Sequence, residues 1–255
     1  MEFMNISVKN NYYTLEQKAS LDPKRIPHHV AFIPDGNRRW AKRQQMRSIE
    51  GHQEGSDNLI EIVKAGKELG IKNFTFYLFS TENWSRPQEE IDALMWLLHT
   101  YLLEQQSSFV EEGTRLCTIG NIAALPEYVQ KTIEETRQVT AHCQEADLIF
   151  ALNYGSRDEI KRAVQSIAQD IIHKKIIPEQ ISEEIISQYL DTAPWSDPDL
   201  LIRTSGELRL SNYLLWQLSY TEIFSSNVLW PDFTPYHLLE ALLNYQRRER
   251  RLGGA

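Results

Sequence analysis

Short uninterrupted apolar runs alternate along this chain with longer stretches of helical period, and that alternation sets the expected fold class. Residues 30–33, 73–79, 115–119 and 148–152 are runs rich in β-branched and aromatic side chains, as in strands buried on both faces. Between them, Leu59, Ile60, Val63 and Leu69 keep a helical spacing that Gly70 stops. Residues 88–110 carry Ile91, Leu94, Met95, Leu97, Leu98, Leu102 and Leu103 around much of a helix, which fits burial in a core or one side lining an apolar cavity. A helix is expected over 126–143, two more before the loop at 194–198, and a closing one from about Pro235. Strands alternating with helices predict an α/β protein with a mostly parallel central sheet covered on both faces. Residues 1–25 lack the pattern and are expected to form a poorly ordered or loosely docked tail before a single domain over 26–255.

The first apolar run breaks at Pro34-Asp35-Gly36-Asn37 and resumes as a basic helix from Arg38. A strand turning sharply into a helix presents free N–H groups and the positive end of the helix dipole at one spot, where anions bind. Gly36 permits close backbone approach, and Arg39, Lys42 and Arg43 add positive charge. Asp35 is either a cap or a ligand for a divalent cation accompanying a diphosphate. An ordinary junction with a solvated basic face is the alternative at this stretch. Two further strand ends share the chemistry: Ser80-Thr-Glu-Asn-Trp-Ser-Arg-Pro87, and the segment holding Arg203 and Arg209. In open α/β sheets ligands lie beyond the carboxyl ends of the strands, so such loops would converge on one crevice.

Composition narrows the choice. With 255 residues, 42% apolar and 24% charged, the chain suits one large globular domain. A net charge of −8 argues against nucleic acid as partner, and the clustered cations favour a small anionic ligand. Cys117 and Cys143 lack metal-ligand spacing, and no apolar run is long enough to cross a bilayer. A reduced cytoplasmic protein is expected. Neither a Gly-Lys-Ser/Thr phosphate loop nor a Gly-x-Gly-x-x-Gly turn is present, which removes the common nucleotide folds.

Taken together, Asp35-Gly-Asn-Arg-Arg-Trp40, Gly51-His52, Phe79-Ser-Thr-Glu-Asn-Trp-Ser-Arg-Pro87, Asn153-Tyr-Gly155, the segment 199–212, Leu215-Trp-Gln217, Glu222 and Leu229-Trp-Pro-Asp-Phe233 make the chain resemble the cis-prenyltransferases, specifically bacterial undecaprenyl diphosphate synthases. The resemblance implies repeated cis condensation of isopentenyl diphosphate onto an allylic diphosphate such as farnesyl diphosphate, with an elongated apolar tunnel for the product. It gives Asp35 and Glu222 to Mg2+. It gives Gly36, Asn37, Arg39, Trp40, His52, Trp84 and Arg86 to the allylic diphosphate, with Ser80 and Asn83 near the proton that is lost. Arg203, Arg209 and Ser211 would hold isopentenyl diphosphate. Arg251 and Gly253 would reach a neighbouring subunit's site, implying a homodimer. The arginines of that closing segment have a second reading, as a transient membrane contact during release of a lipid product.

Four positions depart from the family pattern. Arg38 stands at a position that is glycine in many members, Ser48 where an arginine is usual, Ser205 at a glycine and Leu78 at a common alanine. Arg47, one residue before Ser48, is expected to reach the allylic diphosphate in its place. The Asp-Asp-x-x-Asp motifs of trans-prenyltransferases are missing, since the chain has no Asp-Asp pair. A non-catalytic, prenyl-diphosphate-binding or partner subunit is the remaining rival. Such a subunit is expected to lose Asp35 or the Arg203/Arg209 pair, and both are kept.

Overall fold

The computed structural model describes residues 11–248. Its sheet contains β1 (His29–Ile33), β2 (Asn73–Ser80), β3 (Thr114–Ile119), β4 (Ala146–Tyr154), β5 (Leu200–Arg203) and β6 (Glu222–Ser225), in the order β3-β4-β2-β1-β5-β6. Every neighbouring pair is parallel, so the sheet is wholly rather than mostly parallel. The helices are α1 (Leu15–Ala19), α2 (Asn37–Arg43), α3 (Ser48–Leu69), α4 (Gln88–Glu111), α5 (Glu127–Thr140), α6 (Ser156–Ile172), α7 (Glu183–Gln188) and α8 (Pro235–Arg247). Among the described residues no helix is long and apolar enough to cross a membrane.

Alternation along the strands divides the core in two. Val30 and Phe32 join Phe74, Phe76, Leu148, Phe150, Leu200 and Ile202 on the face packed by α3, α4, α5 and α8. Ala31 and Ile33 point the other way, to Ile149, Ala151 and Leu201, where residues 210–218 and α6 close the second face. Phe32 and Phe76, paired across β1 and β2, stack at 4.5 Å, and Trp230 meets both edge-on. The Trp230 indole donates to the Gly55 carbonyl at 2.7 Å, which ties the 229–233 segment to α3.

Two expectations change. Residues 1–10 of the expected tail lie outside the described residues, and within 11–25 the segment is docked rather than loose. Tyr13 and Leu21 are buried, Thr14 and Gln17 form a capping box at α1, and the Tyr13 hydroxyl donates to the Pro235 carbonyl at 3.0 Å. Main-chain and side-chain bonds between Asp22 and Gln246 fix its other end. The reason is that two well-spaced apolar side chains suffice to bury a segment too short to show a period. The sixth strand, β6, is also unanticipated, because an exposed edge of four residues beginning at Glu222 carries no apolar run.

Candidate active site

Strand order reverses direction at β1. The chain leaves β1 towards β2 on one side and reaches β5 on the other, so the loops after β1 and β5 part and leave a crevice between them. Into that crevice β1 delivers Asp35 and β5 delivers Arg203. Their side chains meet, Arg203 Nη2 donating to Asp35 Oδ2 at 2.9 Å. Arg203 is almost fully buried and also donates to Ser211 Oγ at 2.9 Å and to the Arg209 carbonyl. Asp35 is held from behind: its carbonyl accepts from Thr204 Oγ1 at 2.6 Å, Ser205 Oγ at 2.7 Å and the Trp230 N–H at 3.0 Å.

Gly36 has φ of 115°, and a Cβ there would stand 2.3 Å from Ser205 Oγ. Only glycine fits this left-handed turn against the second loop. The turn opens α2, and Arg39 from its first turn spans the crevice, 3.7 Å from Asp35 and 3.1 Å from Glu207. Ser205 itself has φ of 76°, so the departure from glycine leaves a serine in the left-handed region, tied by its hydroxyl to Asp35.

The third wall comes from the turn after β2. Asn83 accepts the Ser80 N–H at 3.0 Å and so fixes that turn, while Arg86 reaches Glu90 at the start of α4 at 3.1 Å. Arg38 approaches the same Glu90 at 3.8 Å, so this departure places a cation across the mouth of the crevice, between α2 and α4. His52 on α3 lines the wall opposite. Burial, reinforced by nearby Arg86, lowers its pKa to about 4, and the neutral ring accepts from Asn37 Nδ2 at 3.4 Å. Among the described residues Asn37 Oδ1, His52 Nε2 and Arg203 Nε are buried with no partner. Buried polar groups are normally satisfied, so three at one crevice point to a polar ligand.

All of these groups stand at the head of a cavity of about 880 Å³, at the upper end for small-molecule sites. Its body is apolar: Leu59 from α3, Leu78 and Phe79 from β2, and Leu94, Leu98 and Tyr101 from α4. Asp35, Gly36, Asn37, Arg39, His52, Ser80, Asn83, Arg86, Arg203, Arg209 and Ser211 are therefore brought together as the sequence predicts. Four are not. Trp40 donates to Asp232 at 2.7 Å and Trp84 to Asn153 at 2.8 Å, so both brace the walls from outside the cavity. Arg47 caps α3 beside Glu50, outside the cavity lining, and lines an adjoining open depression that shares Arg38 and Arg39 with the cavity.

Glu222 is the fourth. It pairs in register with Leu200 at the amino end of β5, three residues before Arg203, about 10 Å along the strand from the crevice. There it accepts from Arg248 at 2.7 Å. A shared Asp35–Glu222 metal site within one chain is thus excluded: parallel strands put the start of β6 at the wrong end of the sheet. Arg251 and Gly253 lie outside the described residues. Sequence reasoning also missed Tyr77, Glu82 and Asn212 as cavity residues. An acid and an amide among the cations of two converging loops were the available signal.

Among the described residues Asp35 Oδ1 has no hydrogen bond, and its ion-pair partner Arg39 stands 3.7 Å away, so this oxygen can ligate. No group of three or more His, Cys, Asp or Glu side chains that could hold a metal occurs among the described residues. The donor set therefore fits an ion bound by one carboxylate together with diphosphate oxygens and water, the habit of Mg2+.

A parallel α/β sheet whose strand ends gather arginines and the Asp35 carboxylate at the head of an apolar cavity suits a ligand with an anionic head and an apolar chain. The chain belongs to the isoprenyl transferase family. Residues 33–253 match the family model described as "Putative undecaprenyl diphosphate synthase". The chain is 46% identical over 244 residues to an isoprenyl transferase of Chlamydia trachomatis, covering 94% of this chain and 96% of that one. It is 48% identical over 229 residues to one of Geobacillus kaustophilus, covering 90% and 89%. Among solved structures, lavandulyl diphosphate synthase from Lavandula x intermedia, in complex with dimethylallyl diphosphate, has a TM-score of 0.88 at 36% identity, covering 91% of this chain and all of that one. A "probable undecaprenyl diphosphate synthase" from Campylobacter jejuni has a TM-score of 0.75 at 34% identity, covering 89% and 99%.

Proposed function

We propose that this chain condenses isopentenyl diphosphate repeatedly, in cis configuration, onto an allylic diphosphate, with farnesyl diphosphate as primer and a polyprenyl diphosphate of undecaprenyl length as product. One observation carries the reading: Asp35, Arg39, Arg203, Arg209 and Ser211 meet at the head of a cavity whose body is apolar. In each cycle the allylic C–O bond breaks, the departing diphosphate takes the electron pair, a carbon–carbon bond forms to isopentenyl diphosphate, and one proton is lost. Arg39 and the N–H groups opening α2 take the allylic diphosphate and stabilise charge where it develops. Arg203, aimed by Asp35 and Ser211, and Arg209 hold the second diphosphate through paired hydrogen bonds. His52, neutral at working pH, donates without adding charge. Asn83 and Ser80 stand where the proton leaves. Mg2+, held by Asp35 with diphosphate oxygens, would offset the charge on the leaving group.

Fixing both substrates in register supplies roughly 7–11 kcal/mol of the barrier in well-oriented systems. The cavity serves as a tunnel, where each methylene buried gains about 0.8 kcal/mol. A homodimer in which Arg251 and Gly253 reach the partner's site, and transient membrane contact at release, belong to the same reading. Incubation of the purified chain with labelled isopentenyl diphosphate, farnesyl diphosphate and Mg2+ tests it. A ladder of extended products, sized by chromatography against prenol standards, is expected. No product in any metal or detergent condition would make the chain a prenyl-diphosphate-binding or partner subunit instead.

A further inference from the structure

One hydrogen bond joins the two loops assigned above to two different diphosphates. Asn212 Nδ2 donates to Glu82 Oε1 at 2.9 Å, and both side chains line the cavity. Glu82 sits in the turn Thr81–Ser85, between Ser80 and Asn83 and just before Arg86. Asn212 directly follows Ser211 and lies three residues beyond Arg209. The rest of Asn212 is fixed to the start of α6: its Oδ1 accepts the Arg157 N–H at 3.0 Å and its carbonyl accepts the Ser156 N–H at 2.8 Å. The three loops meet without slack, since a Cβ on Gly155 would stand 2.6 Å from Thr81 Oγ1 and 2.8 Å from Asn212 Nδ2.

A second observation is backbone strain in the same segment. Ser211, Asn212 and Leu214 have φ of 53°, 60° and 44°, left-handed values that non-glycine residues rarely adopt. Such a run persists only where surrounding bonds over-determine it, and it relaxes when they open. The bonds made by Asn212 to Glu82, Arg157 and Ser156 are those that hold the 211–214 backbone in this conformation.

We infer that Asn212 and Glu82 are positioning residues forming a latch through which occupancy of one diphosphate subsite fixes the other. The inference rests on the prenyltransferase reading and deepens it. A diphosphate on the Arg86 side orders the Thr81–Ser85 turn. That turn holds Glu82, Glu82 holds Asn212, and Asn212 sets the direction of Ser211 and Arg209. Coupling of this kind is reciprocal in the two affinities.

Calorimetry in Mg2+ buffer reads it directly. The affinity for isopentenyl diphosphate is measured with and without the unreactive thiolo analogue of farnesyl diphosphate, and the reverse pair is measured likewise. In the unaltered chain each ligand should tighten the other by about tenfold. Asn212→Gly keeps the left-handed backbone, because glycine takes it freely, and deletes the latch. In that variant and in Glu82→Ala the coupling should fall below about twofold while each diphosphate alone still binds. Glu82→Gln retains an accepting oxygen and should keep most of the coupling, which a merely structural role would not require. Coupling that survives in both deletions, or two diphosphates binding the unaltered chain independently, overturns the latch alone. Failure of the unaltered chain to bind either diphosphate overturns the prenyltransferase reading and the latch with it.

Discussion

Asp35 and Arg203 form the bond on which the crevice is centred, and the two partners are unequally buried. Arg203 is almost enclosed, whereas a third of the Asp35 side chain is exposed. Solvent therefore screens the pair, and neutralising Asp35 costs less stability than breaking a fully buried pair. Asp35→Asn keeps the shape of the side chain, and Arg203 keeps Ser211 and the Arg209 carbonyl. The expected loss is below about 2 kcal/mol, or a few degrees in Tm, against a fall in turnover of at least about 100-fold. Calorimetric unfolding beside a turnover assay checks it, and equal losses in both would remove the assigned role. Ser205 sets two effects of similar size against each other. Its left-handed backbone costs about 1–2 kcal/mol, and its hydroxyl bond to Asp35 returns about 1 kcal/mol. Because the Asp35 carbonyl keeps two other donors, Ser205→Gly leaves no orphaned group. The unfolding free energy of that variant in urea should match the parent within about 1 kcal/mol.

Helix α4 does two jobs with one apolar circumference. Ile91, Leu102 and Phe109 face the core, Leu97 faces the cavity, and Leu94 and Leu98 line the cavity while packing against the edge of the core. Enlarging Leu98 therefore acts first on the cavity, where the space is, rather than on the packed core side. Leu98→Trp fills the tunnel and should shorten the product. Leu78→Ala, on the opposite wall, should lengthen it by removing the bulk that departs from the family's alanine. Chromatographic sizing of the polyprenols reads both, and a product length indifferent to both changes would show that the cavity does not measure the chain. The apolar period of α4 made the helix legible in the sequence but not the division of its faces, because period alone does not say which neighbour is a sheet and which a void. The first five strands, Gly70 as a helix stop and the crevice loops were legible because each rests on local chemistry. What failed depended on long-range placement. Glu222 lies in a motif beside other site residues, yet parallel pairing sends it to the far end of the sheet. Arg47 is close in sequence to the crevice, yet the start of α3 aims it at Glu50.

Two buried imidazoles lie in different parts of the molecule, and together they set its response to acid. His29 opens β1 at the amino end of the sheet, with Nδ1 2.6 Å from the Ser196 carbonyl and Nε2 2.7 Å from Thr75 Oγ1. A neutral ring satisfies both contacts, donating to the carbonyl and accepting from the hydroxyl. His52 lies beyond the carboxyl ends, at the crevice. Burial lowers each ring to about 4 from the ordinary 6.5. Between those two values the unfolded chain binds protons that the folded chain refuses, so stability is full above about pH 6.5 and falls as the pH drops towards 4. Each ring contributes a slope of up to about 1.4 kcal/mol per pH unit. Carboxylates with lowered pKa, such as Glu68 and Glu82, act in the same direction, but only below their ordinary value of 4.5. Above that value, over the window from pH 6.5 to 5, the histidines act against Glu159, Asp57 and Asp197, whose pKa burial raises, so the difference between the parent and a histidine variant is what isolates one ring. Across that window His52→Gln should remove about half of the histidine contribution to the slope of the urea midpoints, leaving the His29 half in place. A parent and a His52→Gln variant with the same slope over that window would mean that the ring takes up a proton without unfolding, and that the wall opposite Asp35 is charged rather than neutral when the diphosphates arrive.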